Sequence, residues 1–300
     1  MLSELRTLAA IEKGYSGERK LKAVGEDGTK YLLRISSPDL LENRQRLLFR
    51  LQELFQMGIP MNEPMKLIVG DEGVITVLKW LEGEDAEIVL PLLPLTEQYE
   101  LGYHSGEILR KIHSLPAPEP HEDWETRFCR KVDGKISNYQ ACPVKFRGDQ
   151  LLIDYIDEHR HLLKNRPQCF HHGDYHTGNM LICGGELYII DFDRYDHGDP
   201  WEEFNRIVWS VDLSPWFAAG QLDGYFEGEP PRLFFELMAL YISSNTLSSV
   251  PWAIPFGSQE VATMIRQSQQ VLSWYEDMTQ PVPKWYRDIR SFLQSAQEDS

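Results

Sequence analysis

The 300-residue sequence predicts an α+β fold in two lobes, a small β-rich one followed by a large, mostly helical one. Three observations predict it. The first eighty residues alternate β-rich runs with turn compositions around a single helical stripe. From about residue 84 the apolar spacing becomes helical and stays so. Strand signals in this later part shrink to one hairpin. A chain of this length can bury a core in each lobe. The expected boundary divides residues 1–80 from residues 81–300, with the join near Lys79–Gly83.

Taken in order, "KLKAV" (20–24) and "KYLLRIS" (30–36) are strands either side of "GEDG", a hairpin-turn composition. In "PDLLENRQRLLFRLQELFQMG", Leu47, Leu48, Leu51, Leu54 and Phe55 share a helical stripe, and Gly58 is a stop signal. "MKLIVGDEGVITVLKWLEG" reads as two strands around "GDEG". The first lobe is therefore strand–turn–strand–helix–strand–turn–strand. In the second lobe, Leu101, His104, Ile108, Ile112 and Leu115 place a helix over "LTEQYELGYHSGEILRKIHSL", ended by "LPAPEP". Further helices are expected over 150–163, 200–210, 230–248, 258–279 and 284–296. Residues 179–183 and 186–190 flank "GG" as a hairpin, expected to lie in the second lobe.

Composition narrows the function. Thirty basic against 46 acidic residues give a net charge of −16, which argues against nucleic acid and anionic membranes, since both need clustered Lys and Arg. Such a charge suits a cationic small molecule, or simple solubility. The amino terminus lacks the apolar core of a signal peptide, and the most apolar run, "IVLPLLPL", is too short to span a bilayer. A cytoplasmic location is expected. Cys129, Cys142, Cys169 and Cys183 form no C-x-x-C pair and read as free thiols.

The densest polar stretch is "FHHGDYHTGNML" (170–181), followed by "YIIDFDRYDHGDP" (188–200). Asn179 comes five positions after Asp174, and Asp191 ends an apolar strand twelve positions later. Phosphoryl transfer needs such a set: a carboxylate to orient and deprotonate the attacking hydroxyl, and hard oxygen donors for Mg²⁺. Asp174 suits the first task, and Asn179 and Asp191 the second. A zinc-hydrolase reading of His171, His172 and His176 fails because H-H-G-D-Y-H lacks the H-x-H-x-D-H spacing and Gly173 and Gly178 interrupt any helix.

His-x-Asp-x-x-x-x-Asn followed by Asp191-Phe192-Asp193, together with "GDPWEEF" (198–204), resembles the aminoglycoside phosphotransferase family of the protein-kinase-like superfamily. The resemblance implies a bilobal kinase-like fold and Asp174 as catalytic base, with His172 supporting the catalytic loop. It also implies Mg²⁺ on Asn179 and Asp191 and a phosphoryl donor that is ATP, or GTP. "GYSGERKLKAV" sits where the family has a phosphate-covering loop, which implies Ser16 and Gly17 there. Arg34 stands at the position of the usual phosphate-binding lysine, and Glu42 is the nearest acidic candidate to pair with it. "TVLKWLEGE" is similar to the linker that meets the adenine, implying Leu78, Lys79, Trp80 and Leu81. The implied acceptor is a hydroxyl on an aminoglycoside or related antibiotic. Alternatives are a metabolite (amino alcohol, homoserine or sugar), a macrolide, and a nucleotide-binding pseudokinase.

Several neighbours have plainer readings. His171 and His176 are expected to pack the loop, and His113 to end a helix. Asp193 is a candidate acceptor contact. Asp196, Glu202 and Glu203 either bind a basic acceptor or cap the helix that begins after Pro200. Asp199 is expected to accept backbone N–H bonds, and Trp201, Trp209, Trp216 and Phe217 to build core.

Overall fold

The computed structural model describes residues 5–11, 18–71 and 73–298. In chain order it begins with strands β1 (Leu5–Ile11), β2 (Arg19–Gly25) and β3 (Lys30–Ser36), helix α1 (Leu41–Gln56), and strands β4 (Pro64–Gly70), β5 (Gly73–Lys79) and β6 (Glu84–Asp85). Helices α2 (Ala86–Val89), α3 (Leu95–Ile112), α4 (Trp124–Ala141) and α5 (Asp149–His159) follow. Strands β7 (Cys169–His171), β8 (Met180–Cys183), β9 (Glu186–Ile189) and β10 (Asp196–Gly198) come next. The chain then runs through α6 (Ile207–Leu213), α7 (Pro215–Phe226), α8 (Arg232–Ala253), α9 (Ser258–Trp274) and α10 (Lys284–Glu298).

It forms two compact units. The first holds residues 1–86 and 180–190, and the second holds 87–179 and 191–300. This differs from a single boundary after residue 80, because the hairpin expected in the second lobe belongs to the first unit. Its hydrogen bonds explain why. β6 pairs antiparallel with β8, and the Ile189 N–H donates to the Pro60 carbonyl at 2.8 Å.

The first unit is built on an antiparallel sheet of order β1-β2-β3-β5-β4. Asp27 shapes the β2–β3 turn by accepting from the Thr29 N–H at 2.9 Å, the local bond that makes Asp a turn former. Ala23, Leu33, Ile35, Ile75 and Val77 form its core cluster, and α1 packs on β4 and β5. The helix buries Leu47, Leu51 and Leu54, whereas Phe55 is exposed. β1 is an extra strand that the sequence reading did not anticipate.

In the second unit α3 and α7 make the closest helix pair. Gly102 and Gly106 of α3 face Phe217 and Gln221 of α7, while Gly220 and Gly224 face Tyr99 and Tyr103. At each of the four positions a Cβ would collide with the opposing backbone. The buried face of α3 is Gln98, Gly102, Ser105, Gly106, Ile108, Leu109 and Ile112; His104, expected on that stripe, is exposed because a glycine-lined contact turned the face. α4 and α7 are both additions to the expected element order. α4 is capped by Asp123, whose carboxylate accepts from the Thr126 N–H at 3.0 Å, and it buries Trp124, Phe128, Val132, Ile136 and Tyr139. The first turns after Pro200 are 3-10 in character, and the α-helix starts only at Ile207. Among the described residues no helix is long and apolar enough to cross a membrane.

Candidate active site

In the second unit, β7 leads directly into the loop that carries Asp174. β7 pairs antiparallel with β10, so that His171 lies opposite Asp196 and Cys169 opposite Gly198. Gly173 has φ +86°, and a Cβ there would collide with the Arg194 carbonyl oxygen, so the turn requires glycine twice over. The Gly173 N–H donates to both Glu203 oxygens, at 2.9 and 3.1 Å. His172 is fully buried; its Nδ1 accepts from the Asp174 N–H at 3.2 Å, and its ring packs on Phe192 at 4.4 Å between centroids. His172 therefore fixes the loop rather than facing solvent. The loop is also tied to the helix pair behind it, where the Tyr175 hydroxyl donates to the Ser105 carbonyl at 2.8 Å and Gln221 donates to the Ser105 hydroxyl.

Asp174 sits between two arginines and a histidine. Its carboxylate lies 3.2 Å from Arg206, 3.7 Å from His176 and 3.8 Å from Arg194. Burial pushes its carboxyl up, but the nearby His176 ring and the Arg206 and Arg194 charges outweigh it and hold the group well below the usual carboxylate range. Its side chain keeps 19% exposure, so an ionised, hydrogen-bond-accepting oxygen remains within reach of a ligand.

Asn179 donates from its side-chain nitrogen to the Asp174 carbonyl at 2.9 Å, an orientation that leaves Oδ1 as the donor a hard cation takes. Asp191 follows β9 in a left-handed conformation, φ +68°, ahead of the 3-10 turn Phe192–Arg194 that includes Asp193. An amide oxygen and a carboxylate form a donor set suited to Mg²⁺.

The acids offered as acceptor contacts already have internal partners. Asp196 takes a bidentate pair from Arg127, both contacts at 2.7 Å. Glu202 pairs with Lys131 at 3.0 Å; burial pushes its carboxyl up, but Lys131 and the nearby His171 and Lys135 bring it down to about 2. Glu203 is buried and bound to the Gly173 backbone. Neither glutamate caps a helix; that work falls to Asp199, which accepts from the Trp201 N–H at 3.0 Å. Asp199 also takes two bonds from Arg166 and one from the Tyr241 hydroxyl, as expected of a structural carboxylate.

Sequence reasoning missed Arg206, Arg194 and Lys135. Lys135 projects from α4 with its ammonium 3.3 Å from the Ser244 hydroxyl of α8, and burial, then Lys131, push it down to about 8. Arg206 lies two residues beyond the "GDPWEEF" segment, and its place beside Asp174 depends on a three-dimensional fold that linear spacing does not disclose.

In the first unit, Arg34 is buried on β3 and bonds Glu18 at 3.0 Å. Arg44 of α1 reaches the same carboxylate at 2.6 Å, and the Ser36 hydroxyl donates to it as well. Glu42, the expected partner, is instead exposed and lies 3.7 Å from Arg46. The helix phase explains the correction: Arg44, not Glu42, faces inward. Leu78 is buried, Lys79 pairs with Glu63 at 3.4 Å, and the Trp80 N–H donates to the Lys30 carbonyl at 3.0 Å. Leu81 is half-buried, whereas Ser16 and Gly17 lie outside the described residues.

A model of the phosphotransferase enzyme family (APH) matches residues 7–235. No curated protein compared with the chain matches it in sequence. Among solved structures, the chain is similar to a thermostable mutant of aminoglycoside phosphotransferase APH(4)-Ia in ternary complex with ADP and hygromycin B, at 16% identity and TM-score 0.61, over 90% of this chain and 93% of that one. A choline/ethanolamine kinase family protein from Mesorhizobium loti has 15% identity and TM-score 0.64, over 91% of each chain. An amicoumacin kinase, hAmiN, in complex with AMP-PNP, Ca²⁺ and Ami has 15% identity and TM-score 0.61, over 96% and 92%. At these identities the likeness is one of fold.

Proposed function

The chain belongs to the phosphotransferase enzyme family, and on that premise we propose that it transfers the γ-phosphoryl group of ATP to a hydroxyl of a small polar acceptor. The supporting observation is the setting of Asp174: flanked by Arg206 and Arg194, which favour its charged form, partly open to solvent, and joined through its own carbonyl to Asn179. In this reading Asp174 accepts the acceptor's hydroxyl hydrogen bond and takes its proton as the new P–O bond forms. Asn179 and Asp191 would hold Mg²⁺, which when bound neutralises phosphate charge. Arg206 and Arg194 keep Asp174 charged. Arg34 is assigned to the donor phosphates, and Leu78, Lys79, Trp80 and Leu81 to the adenine. Most of the rate gain then comes from positioning and electrostatics.

Two acceptor classes divide the reading. Aminoglycosides and amino alcohols follow from the family and from the net charge. An acceptor carrying a carboxylate or phosphate beside its hydroxyl is supported by Lys135, whose ammonium has a hydroxyl as its hydrogen-bond partner, and by the internal pairing of Asp196 and Glu202. ADP release from Mg-ATP, measured against aminoglycosides, amino alcohols, sugars and hydroxy acids, separates the two, with the phosphorylated product identified by mass spectrometry. If nucleotide binds but no acceptor stimulates release, or if Asp174→Ala retains full turnover, the kinase reading fails and a nucleotide-binding pseudokinase takes its place.

A further inference from the structure

Behind the catalytic loop lies a second polar cluster for which phosphoryl transfer has no use. His113 follows the last turn of α3, and Cys169 and His171 lie on β7. Alternate residues of a strand share a face, so Cys169 and His171 point together and Phe170 points away. The segment after α3 is hydrogen-bonded alongside β7: the Phe170 N–H donates to the Leu115 carbonyl at 2.8 Å, and the Ala117 N–H to the Gln168 carbonyl at 3.2 Å. That pairing carries His113 to the strand. One ligand atom from each of His113, Cys169 and His171 lies within 4.8 Å of the other two, and all three residues are buried.

The imidazole nitrogens are arranged for coordination. The Nδ1 of His113 is 3.0 Å from the Tyr225 hydroxyl, and the Nδ1 of His171 is 3.7 Å from Glu202. The two Nε2 atoms are buried and have no hydrogen-bond partner among the described residues. Buried polar atoms are almost always satisfied, so two unbonded nitrogens on adjacent rings call for a ligand. A carboxylate is at hand, because Glu203 lies 3.7 Å from the His113 Nε2.

We propose that His113, Cys169, His171 and Glu203 form a structural zinc site that anchors the base of the catalytic loop. Thiolate, two imidazoles and a carboxylate make a four-coordinate set of the kind zinc takes. Tetrahedral zinc holds such atoms roughly 3.3–3.8 Å apart, so shifts of about 1 Å draw the His113, Cys169 and His171 atoms together, and Glu203, which stands beside His113, swings toward the other two to complete the set. Tyr225 and Glu202 occupy the outer positions that orient ligating histidines. One thiolate and one carboxylate balance the dication, and the thiol proton leaves to solvent, so affinity rises with pH. The link to the loop is direct, since Glu203 also binds the Gly173 N–H, one residue before Asp174.

The test uses the full chain, titrated with Zn²⁺ against a chromophoric chelator and, because the cluster is closed to solvent, also refolded with Zn²⁺ or Co²⁺ present. The expected result is one equivalent of tightly held metal and a near-ultraviolet thiolate-to-Co²⁺ band. Cys169→Ser should abolish that band, and His171→Gln should weaken binding at least 100-fold, with far-ultraviolet circular dichroism unchanged. Failure of the folded protein to take up metal by either route overturns the proposal. So does uptake without a thiolate band, or uptake that Cys169→Ser leaves unchanged, since both place the metal on oxygen donors elsewhere. Mg-ATP binding, measured separately, keeps this outcome distinct from the kinase reading.

Discussion

Each unit contains one carboxylate flanked by two arginines, and the two settings differ in how much of the carboxylate is used. In the first unit Glu18 is 8% exposed and receives Arg34, Arg44 and Ser36, with guanidinium contacts of 3.0 and 2.6 Å. In the second, Asp174 is 19% exposed, and its arginines stand off at 3.2 and 3.8 Å. Strong, short, charge-assisted bonds consume the acceptor capacity of Glu18 and fix its geometry. Longer contacts keep Asp174 charged without consuming it. The same pair of residue types thus makes an anchor in one place and, in the proposed reaction, a proton acceptor in the other, and burial with distance separates the two.

Three experiments test this contrast. The largest effect is expected from Asp174→Asn, which should lower kcat by about 10²–10⁴ while leaving nucleotide affinity near that of the parent and costing less stability than the loss of the Glu18 charge. A large loss of stability in place of a loss of rate would put Asp174 in the same class as Glu18. Second, Glu18→Gln removes the carboxylate charge that two buried guanidinium groups share and should cost about 3–5 kcal/mol of stability, read by denaturant titration. If the stability is unchanged, the cluster is not the anchor described. The smallest effect is expected from Arg206→Ala. Arg206 favours the charged form of Asp174, so its loss should raise that pKa and move the acid limb of kcat upward. The folded-state pKa of Asp174 is depressed, so its contribution to stability is present above the ordinary carboxylate pKa and lost as pH falls through the folded value. Arg206→Ala should therefore also flatten the acid side of the stability profile.

Much of the fold could be read from local pattern. Strand β3 and the hairpin β8–β9 were marked by β-rich runs between turn residues, and α1 by its leucine spacing. What escaped had a weaker or contrary local signal. α4 carries one apolar residue per turn in an otherwise charged helix with Gly134 inside it. α7 is buried on nearly every side, so it has no periodicity to detect, and its two glycines count against a helix. At the candidate site, the contact between Asn179 and Asp174 was visible because it spans only five positions of chain. Glu18 was not, because it meets Arg34 through strand register. Lys20 pairs with Arg34, which puts Glu18 diagonally across from it on the same face. Asp196, Glu202 and Glu203 looked available in sequence, since their partners Arg127, Lys131 and the Gly173 backbone lie dozens of residues away.

The glycine contacts between α3 and α7 also bear on how the enzyme can change. Four missing side chains set the distance between two backbones, and Ser105 and Gln221, which brace Tyr175, are carried on those same helices. A single added methyl at Gly102 or Gly224 touches no reacting group, yet it would wedge the helices apart and shift the shelf on which the loop rests. Change at these four positions is therefore closed off, because any side chain there alters the backbone spacing beneath the loop.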